Sequence, residues 1–331
     1  MTQSENPVAP SASNAVSPLV SIGVAVYNEA RHLAEALDSL RAQDYPNIEI
    51  VISDNASTDA TPQICAEYVA MDPRIRYHRK DTNTGSFDNF NRVLDLARGE
   101  FFMWASGHDV RQPSQVSKCV EVMLEDSGIV LCYTQMIWID GEGRPLEPLE
   151  KGQDYIDTRG LELSLLRINV VLWGLRGGQP SYGVFRRQAL KKTPAYTHIV
   201  SPDMALLIEL AAIGKFAYVS DPLLYVRRGE TYDNWPFYLG RHFPEELHGG
   251  KTERLYWRMM REVAMRVVRH IHTVPGKVLA IFSVVVGMWV NFRWMLTALR
   301  SIKANSVVAH PQEHFEVVYE QSDVRSDAKR A

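Results

Sequence analysis

Two rhythms of apolar residues alternate along the first half of this chain. Nearly unbroken apolar runs at 19–27, 48–53, 101–105 and 129–136, with a shorter one at 75–78, have the pattern of strands buried on both faces. Between them the spacing turns helical. The stretch 31–43 carries Leu33, Ala36, Leu37 and Leu40, the stretch after Asp59 carries Ile64, Tyr68 and Val69, and 87–97 and 113–125 read the same way. This β-α-β alternation predicts an α/β fold with a mostly parallel sheet flanked by helices. The carboxyl edge of such a sheet is where open α/β folds bind ligands, and here it collects Tyr27, Asp54, Asp59 and Asp109.

The most organised stretch is Arg98-Gly99-Glu100-Phe101-Phe102-Met103-Trp104-Ala105-Ser106-Gly107-His108-Asp109. An apolar strand runs straight into a small polar turn, which presents a carboxylate as a hard oxygen ligand at the sheet edge. Beyond it, a turn at Asp140-Gly141-Glu142-Gly143 and a polar piece to Arg159 precede a helix at 161–172. A glycine-bearing segment at 177–190 follows, then a helix opened by Pro202 and Asp203 and stopped at Gly214, and a strand at 222–226 leading to Arg227 and Arg228. The stretch 229–252, rich in aromatics, His and Pro, reads as a loop-like flap, with His242 and His248 as fallback metal ligands only.

The chain then changes character. A basic helix is expected at 255–272, then fifteen uncharged residues at 278–292, Arg293, and more apolar residues to Leu299. That uncharged run is short of the ~20 residues that span a bilayer. A basic helix followed by a Trp-bearing apolar one suits a membrane surface, with a core helix or a dimer seam as alternatives. The ends, 1–18 and 301–331, are polar and read as disordered tails.

Composition narrows the classes. A chain of 331 residues, 46% hydrophobic, has ample material for a large core. A net charge of -3 gives no reason to expect a nucleic acid. Cys65, Cys119 and Cys132 are widely spaced in apolar surroundings, which suggests neither a disulfide framework nor a zinc site and fits a reduced cytoplasm. The turn after the first strand, Tyr27-Asn28-Glu29-Ala30, lacks the glycines a dinucleotide requires, and no Gly-Lys-Ser/Thr phosphate loop is present. Hydride transfer and P-loop chemistry are thereby disfavoured.

Four pieces in order, Tyr27-Asn28-Glu29, Asp54-Asn55-Ala56-Ser57-Thr58-Asp59, Asn83-Thr84-Gly85 and Ala97-Arg98-Gly99-Glu100 before the acidic turn, resemble the family 2 glycosyltransferases of the GT-A fold. The resemblance covers about 20–228. It implies a Rossmann-type mixed, mostly parallel sheet, divided into a nucleotide-sugar half at 19–112 and an acceptor half at 113–250; the basic and apolar pattern beyond it adds a C-terminal helical extension with a membrane-associating region at 251–300. It also implies inverting transfer of a sugar from a nucleotide-diphosphate donor to a hydroxyl of a glycan or lipid-linked acceptor, as in cell-surface polysaccharide assembly, by a cytoplasmic enzyme peripheral to the inner membrane face.

The same resemblance assigns roles. Asp109 would hold a divalent cation, Mg²⁺ or Mn²⁺, and Asp203, preceded by Pro202 where the family has Glu, would be the general base, with a plain acidic residue in a helix's first turn as the alternative. Tyr27 would pack on the base of the donor, with Asn28, Glu29 and Gly85 beside it and Asp54 and Asp59 accepting hydrogen bonds from base and ribose. Arg227 and Arg228, at a strand end, can steady the diphosphate as a charge-assisted clamp or stand as a solvated pair, and Trp173 or Tyr182 would offer a sugar a stacking face or serve only as packing. Helix capping is the competing role for Asp59. The acidic turn departs from the family by reading Ser106-Gly107-His108-Asp109, one carboxylate short. His108 can replace it as a metal ligand, donate to the diphosphate, or merely make the turn. A sugar-nucleotide-binding protein that has lost catalysis is the alternative.

Overall fold

The computed structural model of the chain describes residues 17–146, 154–176, 178–228, 235–245 and 251–301. Among them, one eight-stranded sheet runs in the order β3-β2-β1-β4-β7-β6-β8-β5. Its strands are β1 (Val20–Val26), β2 (Ile48–Asp54), β3 (Ile75–Arg79), β4 (Phe101–Ser106), β5 (Val110–Arg111), β6 (Ile129–Ile139), β7 (Val184–Arg186) and β8 (Lys215–Arg227). The β1–β2, β1–β4, β2–β3 and β6–β8 pairs are parallel, while β7 and β5 join antiparallel. The mixed, mostly parallel α/β sheet expected from the sequence is therefore present. Parallel register aligns Val26 with Asp54 and Ala25 with Ser106, so the ends of β1, β2 and β4 open on one edge.

Helices cover both faces. On one, α1 (Leu33–Arg41), α2 (Thr61–Met71) and α4 (Gln115–Glu125) pack Leu33, Leu37, Cys65 and Val120 over β1, β2 and β4. On the other, α3 (Ser86–Leu96), α5 (Ser164–Gly174) and α7 (Pro202–Ile213) share a second core with the C-terminal helices. Two shorter helices are α6 (Arg187–Leu190) and α8 (Trp235–His242). The tail forms α9 (Glu253–Arg269) and a 28-residue α10 (Val274–Ser301) that runs unbroken through Arg293. Buried Glu209 of α7 meets Arg266 at 3.5 Å and His270 at 3.1 Å, which ties α9 to the core.

Three elements differ from the expectation. The last long strand begins at Lys215 and not at Pro222; Pro222 sits where the β6–β8 register shifts, an irregularity that tolerates a residue without an N–H inside a strand. Within the expected flap, 235–242 is helical despite Pro236 and Gly240. Ser17 and Pro18, expected in the tail, receive hydrogen bonds from Asn47 and Tyr45. The rest of that tail, 302–331, Gly177, 229–234 and 246–250 with His248 lie outside the described residues.

Candidate active site

The edge is shaped by two loops laced together through short polar side chains. After β1 the chain turns at Asn28, whose φ of 56° is left-handed, a region asparagine enters more readily than most residues. The amides of Asn28, Glu29 and Ala30 donate to Ser57 Oγ at 3.0 Å, Thr61 Oγ1 at 2.9 Å and Asp59 Oδ2 at 3.0 Å. Thr58 N–H answers by donating to Asn28 Oδ1 at 2.8 Å. Asp59 also accepts from the Thr61 amide at 2.9 Å. Burial opposes its ionisation, but the hydrogen bonds from Thr61 and Ala30 prevail and hold the carboxyl below its usual range.

Asp54 is wholly buried at the end of β2. It accepts from Ser57 N at 2.8 Å and Tyr77 OH at 2.7 Å and lies 3.3 Å from Arg79. Asp54 and Asp59 thus brace the loops that carry the binding groups. The residue the sequence reading passed over is Asn55. Its Nδ2 donates to Asn83 Oδ1 at 2.7 Å and to the Gly85 carbonyl at 3.1 Å, and its Oδ1 accepts from Thr84 N at 3.1 Å. That side chain pins the 83–85 turn, where Gly85 adopts a φ of 92° that a Cβ would strain.

These loops enclose a cleft of about 320 Å³ lined by Tyr27, Glu29, Asn55, Gly85 and His108, with Arg241 and His242 of α8 at its other wall. His242 stacks on Phe87 at 5.0 Å, and burial, helped by the field of Arg241, lowers its pKa to about 4, so the ring is neutral. Among the expected donor residues, Tyr27, Glu29, Gly85 and His108 line the cleft, while Asn28, Asp54 and Asp59 stand behind them. A larger hollow of about 610 Å³ lies at α9, away from the strand ends.

The acidic turn closes the cleft floor. His108 Nδ1 lies 3.0 Å from Glu29 Oε2, and Nε2 is 3.9 Å from Asp109 Oδ1. Burial works against its charge, but the Glu29 hydrogen bond and the Asp109 and Glu29 fields outweigh it, raising the pKa to about 9. Both ring nitrogens then carry protons and can donate. Asp109 accepts from the Arg227 amide at 2.9 Å through Oδ1, while Oδ2 is buried without a hydrogen-bond partner among the described residues. An orphaned carboxylate oxygen fits a hard cation. No group of three or more His, Cys, Asp or Glu side chains among the described residues forms a cage, so the other ligands would be diphosphate oxygens and water.

The expected pairing of Arg227 with the diphosphate is corrected by its burial. Its guanidinium donates to the carbonyls of His108 at 3.0 Å and of Asp140 and Gly141 at 2.8 Å each, and to Glu35 at 2.6 Å. It staples the acidic turn to the β6 turn and to α1. Arg228, one residue on, is exposed at the strand end.

Asp203 enters from the other side, in the first turn of α7. Gly178, at a φ of 71°, passes so close that a Cβ there would collide with Asp203 Oδ2. The Gly178 turn hangs from buried Asp154, which accepts from the amides of Arg176 and, at 2.9 Å, Gln179. Asp203 is half-buried, and desolvation raises its carboxyl to about 6 against the lowering pull of the Met204 amide, with the Asp154 charge adding to the rise. Its neighbours lead back to the cleft, because Tyr196 lies 5.4 Å from Phe90 and Tyr238 lies 4.8 Å from His242. Tyr182 is half-buried and Trp173 is exposed.

Comparison with known proteins places this arrangement. A family model described as "Glycosyl transferase family 2" matches residues 21–193, just over half of the chain. An uncharacterized protein of Mycobacterium tuberculosis is 32% identical over 197 residues, 56% of each chain, so this chain spans about half the length of the curated relatives it matches. The structure of S. aureus TarS in complex with UDP-GlcNAc superposes with a TM-score of 0.62 at 20% identity, covering 85% of this chain and 76% of that one. The mannosyltransferase PcManGT from Pyrobaculum calidifontis, in complex with GDP-Man and Mn²⁺, gives 0.51 at 16% identity over 91% and 89%. At these identities the two structures speak for the GT-A fold.

Proposed function

The chain belongs to glycosyl transferase family 2, and from that premise we propose that it is an inverting enzyme moving a sugar from a nucleotide-diphosphate donor to a hydroxyl of a glycan or lipid-linked acceptor. The observation that carries the reading is the division of the edge into a polar cleft with a prebuilt wall and a desolvated carboxylate beyond it. In this reading residues 19–112 hold the donor and 113–250 the acceptor. Tyr27 packs on the base, Gly85 and Asn55 shape the turn beside it, and His108 and Arg228 donate to the diphosphate. Asp109 would hold Mg²⁺ or Mn²⁺, which when bound neutralises the charge of the leaving diphosphate.

Asp203 takes the proton of the acceptor hydroxyl as that oxygen bonds to the anomeric carbon and the bond to the diphosphate breaks on the opposite face. A carboxyl near pH 6 is basic enough for this task and still ionised at neutral pH. The buried, unpaired Cys65, Cys119 and Cys132 suit a cytoplasmic setting. Attachment to the inner membrane face and a place in polysaccharide assembly complete the proposal.

The test is release of nucleoside diphosphate from a panel of sugar nucleotides, with Mg²⁺, Mn²⁺ or chelator, and membrane extract as acceptor source. Metal-dependent turnover lost in Asp109→Ala and Asp203→Asn supports the assignment and names the donor. Tight donor binding with no turnover under any condition favours a binding protein without catalysis.

A further inference from the structure

The last helix satisfies the length and composition of a membrane span over Val274–Asn291, yet only 28% of that stretch is buried. Its inner side is fastened to the catalytic body along most of its length. Asn169 of α5 donates to Ser283 Oγ at 3.3 Å and Asn291 donates to the Leu172 carbonyl at 2.7 Å. From α9, Tyr256 OH donates to the Met288 carbonyl at 2.8 Å and Thr252 Oγ1 to the Leu299 carbonyl at 2.6 Å. Apolar packing by Ala280, Val284 and Met288 fills the space between these bonds.

The outer side is bare. Val278 is 61% exposed, Phe282 66% and Trp289 48%. Leu166, Val170 and Trp173 of α5 are also exposed, as is Trp257 of α9, whose ring lies against Trp289 at 6.1 Å. Apolar side chains at this density on one helix face mark an interaction surface and not a solvated one. Trp257 also lines the 610 Å³ hollow, whose other walls are Lys251, Arg254, Leu255, Arg258 and Arg261, with Glu245 the one acid.

We propose that the outer face of α5, α9 and α10 docks on an anionic bilayer, with α10 lying in the plane of the interface and the basic hollow beside Trp257 receiving lipid phosphate. The charge pattern selects this occupant. Four cations around one hollow gain from an anionic surface, whereas a second copy of the chain would bring the same cations together. In-plane geometry follows from the fastening. For α10 to cross the bilayer it would have to shed its bonds to α5 and α9 or carry Arg254, Arg258 and Arg261 into hydrocarbon with it. Because Glu209 joins α7 to α9, docking sets the Asp203 side of the cleft at a fixed disposition to the lipid. This deepens the membrane attachment proposed above and does not depend on the donor chemistry.

The test floats the full chain with vesicles of phosphatidylcholine alone or of equal parts phosphatidylcholine and phosphatidylglycerol. The expected result is flotation with the anionic vesicles, at least tenfold weaker in Phe282→Ser/Trp289→Ser and in Arg254→Glu/Arg261→Glu, and released by alkaline carbonate. Donor turnover without vesicles, measured on the same samples, stays unchanged in these variants and reports separately on the transferase reading. Equal failure to float with both vesicle types overturns the proposal. So does resistance to carbonate, which would mean a spanning helix, or a solution dimer that Phe282→Ser/Trp289→Ser converts to monomer while flotation is absent.

Discussion

Asp59 and Asp203 are acidic residues at the entrances of two helices, in opposite surroundings. Asp59 receives the amides of Thr61 and Ala30, and its carboxyl is held below the usual range. Asp203 lies against Gly178, with Tyr196 and Tyr238 within reach of its charge, and desolvation lifts it to about 6. The strand-end loops around Asp59 are built from short side chains that satisfy backbone amides at fixed positions. The surroundings of Asp203 offer few such partners. One residue type therefore supplies scaffold where dipoles stabilise the anion, and in the proposed role a proton acceptor where they do not.

The largest effect that would sharpen this contrast is expected in Asp203→Asn. Transfer should fall roughly 10²- to 10⁴-fold, the usual reach of a general base, while donor affinity by titration calorimetry stays at the parent value. The loss cannot be charged to unfolding. Folding raises this pKa from 3.8 to about 6, so the stability it contributes is complete below the unfolded value and is lost as pH rises through about 6. The variant should then unfold no earlier than the parent at about pH 8.

On the donor side, Arg227→Met should cost about 3 kcal/mol in urea unfolding, since it strips donors from the carbonyls of His108, Asp140 and Gly141 in a buried setting. Asn55→Ala should raise the donor KM about tenfold with little change in kcat, because an unpinned 83–85 turn weakens binding and not proton transfer. The smallest change belongs to Asp59→Ala, about 1 kcal/mol of stability by thermal melting, the worth of a helix-entry carboxylate. A collapse of transfer in Asp59→Ala with stability intact would erase the distinction between the two aspartates.

Much of the fold was legible because β1, β2 and β4 are buried on both faces and so read as apolar runs, and because Asp109 follows β4 directly. Strand β8 was half hidden, since its Pro222 marks a register shift that only its pairing with β6 reveals. The roles of Asn55, Arg227 and Gly178 were not legible. Each acts on residues far along the chain, Asn55 on the 83–85 turn, Arg227 on Glu35 and His108, and Gly178 on Asp203. An arginine at a strand end looks alike whether it meets a ligand or, as here, carbonyls from two turns. Local pattern reports burial and turns, while long-range hydrogen bonding decides which polar residue is free to act.

The most direct test of the central claim, that Asp203 is a base tuned by desolvation, is the pH dependence of kcat/KM with a saturating divalent cation. A single rising limb centred near 6, level above about pH 7 and absent from the residual activity of Asp203→Asn, is the expected result. A limb near the ordinary carboxylate value of 3.8, or the same limb persisting in Asp203→Asn, would contradict it.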